Sequence, residues 1–108
     1  MFMQSIQPDE LKNRLDEPAS APRLVDIREP WEYDICRIDG SENMAMADLA
    51  ARLGEMQPGR DTVIICHHGM RSRQVAEYLS SLGMDGVMNL EGGLDAWART
   101  IDPDMPQY

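Results

Sequence analysis

Thr62-Val63-Ile64-Ile65-Cys66-His67-His68-Gly69-Met70-Arg71-Ser72 is where the chain passes from one kind of local structure to another. The first four residues are β-branched, the composition of a strand buried on both faces of a parallel sheet. Behind the loop, Val75, Ala76, Leu79 and Leu82 recur at helical spacing, so a helix begins near Met70 and lays an apolar stripe on that sheet. A buried strand, a tight turn and an amphipathic helix in succession define an α/β unit.

Working outward, Leu24-Val25-Asp26-Ile27 and Val87-Met88-Asn89-Leu90 read as two further buried strands, and Gln4-Ser5-Ile6 as a short first one. Pro8-Asp9-Glu10 opens a helix, with proline preset for the first turn and acids favoured at the positive end of the dipole; Leu11 and Leu15 face inward. Leu49, Leu53 and Met56 repeat at helical spacing ahead of a Gln57-Pro58-Gly59-Arg60 turn. Gly92-Gly93 precedes a short closing helix carrying Leu94 and Trp97. The expectation is a single α/β domain over residues 1–108, with a mainly parallel central sheet of about five strands flanked by helices. The weakest patterning lies at residues 16–22 and 102–108.

Ten basic residues against nineteen acidic ones leave a formal charge of −9, the wrong sign for tracking nucleic acid phosphates or anionic lipid. No apolar run approaches the length of a membrane span, and the N-terminus lacks the pattern of a secretion signal, so a cytoplasmic location is expected. The two cysteines, Cys36 and Cys66, form no C-x-x-C pair and are expected to stay reduced. The nine methionines are scattered and read as adaptable core filling.

Open parallel sheets present reacting groups at the carboxyl ends of their strands, which is where Cys66 stands. Gly69 permits the positive φ that a tight turn needs, so the backbone can curl round the sulfur. The N–H groups of that curl, with the free N–H groups of the following helix, form a concave site for an anion. A thiolate there is favoured by the helix terminus and by the nearby Arg71 and Arg73, and a persulfide anion gains from the same donors. The bland alternative is an inert, buried strand-end cysteine, since free cysteine is among the most buried residue types. Gly69, Arg71 and the helix start behind Cys66 favour the reactive thiol.

The segment from Cys66 through His67, His68, Gly69, Met70 and Arg71 to Ser72 resembles the active-site loop of the rhodanese-like sulfurtransferases. Leu24-Val25-Asp26-Ile27-Arg28-Glu29 with Trp31-Glu32-Tyr33 is similar to that family's early strand and turn, and Asn89-Leu90-Glu91-Gly92-Gly93 with Ala96-Trp97 to its closing segment. The resemblance implies a double displacement with no cofactor. A small anionic donor such as thiosulfate loads sulfur on Cys66, and a thiol, cyanide or protein acceptor removes it. It also implies loop roles for His67, His68, Gly69, Met70, Arg71 and Ser72, and a supporting role near the site for Asp26 and Arg28. Where the family often reads Gly-His-Ile-Pro-Gly, this chain has Cys36-Arg37-Ile38-Asp39-Gly40, which alters the substrate contacts expected at that edge.

Competing readings attach to the same residues. Cysteine-dependent phosphatases and arsenate reductases hold a thiolate in a similar cradle, but the four residues between Cys66 and Arg71 make this loop one shorter, a better fit to one sulfur than to a tetrahedral oxyanion. A non-catalytic binding module on the same fold usually lacks the cysteine, and a thiol oxidoreductase would want a second cysteine beside Cys66. His67 and His68 titrate near neutrality, where charge on them would attract an anionic donor. No metal site is expected, because adjacent Cys-His-His residues lack ligand spacing and no matching cluster is visible elsewhere. Asp26 suits a turn cap as well as a substrate contact, Cys36 is read as structural, Gly92-Gly93 as backbone geometry and Trp97 as core.

Overall fold

The computed structural model describes residues 3–55 and 60–108. Five strands form one sheet: β1 (Gln4–Ile6), β2 (Arg23–Asp26), β3 (Glu42–Asn43), β4 (Thr62–Ile65) and β5 (Val87–Leu90). Their order is β1-β5-β4-β2-β3, and every pairing is parallel. The expected parallel α/β architecture is therefore present. β3 is two residues long and carries no apolar run, which is why no pattern marks it in the sequence.

Three α-helices lie between strands, α1 (Pro8–Leu15), α2 (Pro30–Ile35) and α3 (Met70–Ser81), and a fourth, α4 (Gly93–Thr100), follows β5. Side chains alternate across each strand, so Val63 and Ile65 enter one apolar cluster while Ile64 and Cys66 enter the other. On the first face they meet Leu11 of α1 and Leu94, Trp97 and Ala98 of α4; on the second they meet Val75, Ala76 and Leu79 of α3. Leu79 is fully buried, a burial that contributes roughly 2 kcal/mol.

Three expectations change. The stretch around Leu49 and Leu53 forms 3-10 turns, Met46–Asp48 and Ala50–Glu55, rather than an α-helix. Leu49 still packs in the core, but Gly54 weakens a regular helix and the tighter turn suits a short connector. Met56 and, of the turn expected at Gln57-Pro58-Gly59-Arg60, all but Arg60 lie outside the described residues. Trp31-Glu32-Tyr33, matched above to a strand and turn, lies within α2, where Pro30 sits at the start of the helix. The weakly patterned tail is packed as well: Met105 is buried in the first cluster.

Candidate active site

Cys66 follows the last residue of β4 and is 1% exposed. Its Sγ accepts the N–H of Gly69 at 3.1 Å and the N–H of Ser72 at 3.3 Å, and lies 3.2 Å from Ser72 Oγ. Ser72 is the third residue of α3, so its N–H is one of those that a helix leaves unpaired at its start. Gly69 has φ +89°, and a Cβ on it would lie 3.0 Å from the Gly92 nitrogen and 3.1 Å from the Leu90 oxygen, so glycine meets both the conformational and the steric demand.

A second helix start holds the loop from behind. The first-turn N–H groups of Leu94 and Asp95 donate to the carbonyls of Cys66 and His67, each at 2.9 Å. Gly93, at φ +59°, allows that approach, because a Cβ there would collide with both carbonyls. Gly92-Gly93 thus serves backbone geometry, and Trp97 is core. One helix start faces the sulfur and the other grips the backbone that carries it.

Arg71 is directed at Glu32, with Nη1 and Nη2 each 3.1 Å from a carboxylate oxygen. Glu32, 5% exposed, also accepts the Tyr108 hydroxyl at 2.8 Å and the Glu29 N–H at 3.0 Å. Burial opposes its charge, but the Arg71 guanidinium, the Tyr108 hydroxyl and the Glu29 N–H outweigh it and lower the carboxyl from 4.5 to about 2. Glu32 in turn raises Arg71. Burial is also the main reason the Tyr108 phenol is pushed up to about 12.

Asp26 and Arg28 are both 0% exposed and bonded to each other: Arg28 Nη2 lies 2.7 Å from Asp26 Oδ2, and the Arg28 N–H donates to Asp26 Oδ1 at 3.0 Å. Asp26 therefore caps the turn after β2. Arg28 also donates to the carbonyls of Glu32 and Cys36 and to Tyr108 Oη. The pair supports the wall beside the loop and presents no charge to solvent.

His67 is half-buried, and its ring stacks on His68 at 4.1 Å and on Tyr108 at 4.3 Å. Burial and the neighbouring His68 lower its pKa, which disfavours a charge on His67 near neutrality. His68 and Met70, the latter 76% exposed, face solvent. Asp95 joins the two histidines in a group whose ligand atoms lie within 4.8 Å of one another, a proximity that sequence spacing does not reveal. The two rings are only 22° from parallel, so their in-plane lone pairs run side by side instead of converging, and Asp95 is paired with Arg99 at 2.9 Å. That trio is poorly shaped to chelate an ion.

Both cysteines are free. Cys36 lies in the cluster on the opposite sheet face from Cys66, with its carbonyl 2.6 Å from Arg28 Nη2, which fits the structural reading. The altered segment that follows it, Arg37, Ile38 and Asp39, lines a depression of about 490 Å³ with Lys12 and Trp97. No loop residue from Cys66 to Ser72 borders that depression.

The profile of the Rhodanese-like domain matches residues 7–100. The chain belongs to the rhodanese-like domain family. Among curated relatives, the thiosulfate sulfurtransferase GlpE of Shewanella oneidensis is 37% identical over 79 residues, 73% of this chain and 78% of that protein. The Rhodanese-like/PpiC domain-containing protein 12 of Arabidopsis thaliana is 31% identical over 98% of this chain, which spans only 38% of the length of that relative. The crystal structure of a rhodanese-like domain protein from Staphylococcus aureus superposes with a TM-score of 0.82 at 36% identity, covering 88% of this chain and 91% of that one. No helix among the described residues is long and apolar enough to cross a membrane.

The sequence reading placed Cys66, Gly69 and Ser72 together, and they do meet. Three residues that shape the site escaped it. Glu32 lies in a recognised motif, but nothing in the motif points it at Arg71. Asn89 also lies in a recognised motif, at the end of an apolar strand, but nothing in the motif points it at Ser72. Tyr108 lies in the unpatterned tail and carries no signal at all.

Proposed function

We propose that residues 1–108 work as one rhodanese-like unit that moves a sulfane sulfur from a donor such as thiosulfate to a thiophilic acceptor through a persulfide on Cys66. The observation that carries this reading is the Sγ of Cys66 receiving the Gly69 and Ser72 N–H groups at 3.1 and 3.3 Å at the end of a parallel strand. Such donors suit a sulfur that alternates between thiolate and persulfide anion.

In the first step ionised Sγ attacks the outer sulfur of thiosulfate. The new bond is Sγ–S; the donor S–S bond breaks, and its electron pair leaves on sulfite. In the second step a thiolate, cyanide or cysteine of a protein acceptor attacks the outer sulfur, and Sγ departs with the electron pair of the Sγ–S bond. No net redox partner is required. Gly69 and Ser72 hold the sulfur, Arg71 stands at the loop with Glu32 as its counter-charge, and Asp26 with Arg28 braces the wall. The net charge of −9 disfavours nucleic acid and anionic membrane as partners, the loop with Arg71 suits a small anionic donor and a thiol acceptor, and a cytoplasmic setting keeps both cysteines reduced.

The test is the intact mass of reduced protein after thiosulfate, then after cyanide, beside Cys66→Ser. One added sulfur that cyanide releases as thiocyanate, absent from the variant, is the expected result. If neither thiosulfate nor a polysulfide loads the wild type, the reading fails, and oxyanion reduction, phosphatase activity and protein binding become the next assays.

A further inference from the structure

The Cys66 sulfur stands at one end of a row of side-chain hydrogen bonds that leaves the loop and crosses to β5. Sγ lies 3.2 Å from Ser72 Oγ, Ser72 Oγ bonds Asn89 Oδ1, and Asn89 Nδ2 donates to Glu91 Oε1 at 3.3 Å. Ser72 and Asn89 are 0% and 1% exposed, so no solvent competes in the middle of the row, whereas Glu91 is half-buried at its mouth.

The direction of this row is fixed at its far end. An ionised carboxylate only accepts, so Glu91 turns the NH₂ of Asn89 toward itself, and the amide oxygen then faces Ser72. Ser72 has a single hydroxyl proton, and a buried amide oxygen draws it. The Ser72 oxygen therefore meets Cys66 with lone pairs alone, and Sγ completes the row by donating its own proton, as a thiol. A thiolate needs the opposite arrangement, in which Ser72 turns its proton to Sγ and the thiol proton leaves to solvent. Asn89 Oδ1 is then left buried without a donor unless the amide also turns, which Glu91 opposes.

We propose that Asn89 and Glu91 are positioning residues that act through Ser72 to set the ionisation of Cys66, holding the resting sulfur as a thiol until the row reverses. The inference rests on Cys66 being the reacting group, but its test reads ionisation and not sulfur transfer, so the two fail separately. The other charged or titratable groups around the loop and the row are Arg71 of α3 with Glu32 of α2, Arg73 and Glu77 of α3 beside Asn89 and Glu91, Asp9 of α1 beside Glu91, His67 and His68 of the loop, Asp95 of α4, the Asp26–Arg28 pair after β2, and Tyr108. All of them stay unchanged in the variants below.

The experiment follows the ¹³Cβ shift of Cys66 against pH in the full chain labelled at cysteine, with the resonance assigned from Cys66→Ser. The variants are Asn89→Leu, Glu91→Gln and Ser72→Ala, with the doubles that combine each of the first two with the third. Asn89→Leu removes the acceptor without altering charge, so Ser72 is free to donate to Sγ, and the pH of half-ionisation falls by about one unit, the effect of a single hydrogen bond. Glu91→Gln lets the Asn89 amide turn and lowers the midpoint in the same sense. With Ser72 as alanine, Asn89→Leu no longer moves the midpoint, and Glu91→Gln keeps only the small fall that the loss of a nearby negative charge brings. A fall that persists undiminished in the Ser72→Ala background overturns the proposal, because Asn89 or Glu91 would then act by charge or packing alone. So does an unchanged or raised midpoint in the single variants. If Asn89→Leu does not fold, the half-buried Glu91→Gln, alone and with Ser72→Ala, decides the matter by the same criteria.

Discussion

Two polar clusters lie side by side at the carboxyl edge of the sheet and are built on opposite principles. The cradle around Cys66 is local and uncharged: the sulfur meets two backbone N–H donors and the oxygen of the Ser72 hydroxyl, all from residues 66–72. The neighbouring cluster of Asp26, Arg28, Glu32, Arg71 and Tyr108 is ionic and assembled from distant parts of the chain, with Tyr108 bonding groups 76 and 80 residues away. Neutral donors let the sulfur change its charge at modest cost, whereas buried charges hold firm only while every partner stays in place. Among the described residues no buried side-chain nitrogen or oxygen lacks a partner. The ionic cluster should therefore carry stability, and the cradle reactivity.

The comparison breaks most sharply at Arg28. Arg28→Met keeps an unbranched apolar stem but removes the guanidinium, and so strands the buried Asp26 carboxylate and the carbonyls of Glu32 and Cys36. Removing one partner of a buried ion pair costs about 3–5 kcal/mol, so the urea midpoint should drop markedly while the molecules that remain folded keep their sulfur-loading rate. A loss under about 1 kcal/mol would show that the cluster is not what holds this edge.

Next in size is the acid dependence of Glu32. Its folded carboxyl titrates at about 2 against an ordinary 4.5, so the stabilisation is complete above 4.5 and is lost as the pH falls from there toward 2. The full shift corresponds to roughly 3 kcal/mol. Urea unfolding from pH 7 down to pH 3 should show the wild type losing stability more steeply than Glu32→Gln, with the two curves approaching one another at the acid end. Parallel curves would remove Glu32 from the ionic account.

The same contrast explains what was legible in the sequence. β4, the turn at Gly69 and α3 are written in neighbouring residues: a β-branched run, a glycine at positive φ and an apolar stripe on one helix face. The cradle could be read because everything in it is local. The ionic cluster could not, since no periodicity brings Tyr108 to Glu32, and a carboxylate in a short helix reads as solvated until its partner is seen. β3 was missed for a related reason, being held by its pairing with Val25 and Asp26 and not by its own composition. The stretch around Leu49 shows the converse error, because apolar spacing suits an α-helix and a 3-10 turn almost equally over so few residues.

The smallest expected change in stability comes from the cradle, and there the two clusters separate. Gly69→Ala places a methyl group at φ +89°, 3.0 and 3.1 Å from backbone atoms of Gly92 and Leu90. The left-handed conformation costs a residue with a Cβ about 1–2 kcal/mol, and the loop can lower that cost by backing away from β5. Doing so draws the Gly69 N–H off Sγ, which it now meets at 3.1 Å. A modest fall in the urea midpoint should therefore accompany a loss of sulfur loading of about tenfold or more, since a donor aimed at the reacting atom acts on the transition state as well as on the fold. Arg28→Met should show the reverse ratio, a large loss of stability with little effect on loading per folded molecule. If Gly69→Ala loses stability but loads sulfur at the wild-type rate, the backbone N–H at Gly69 is scaffolding only, and the division of labour between the two clusters does not hold.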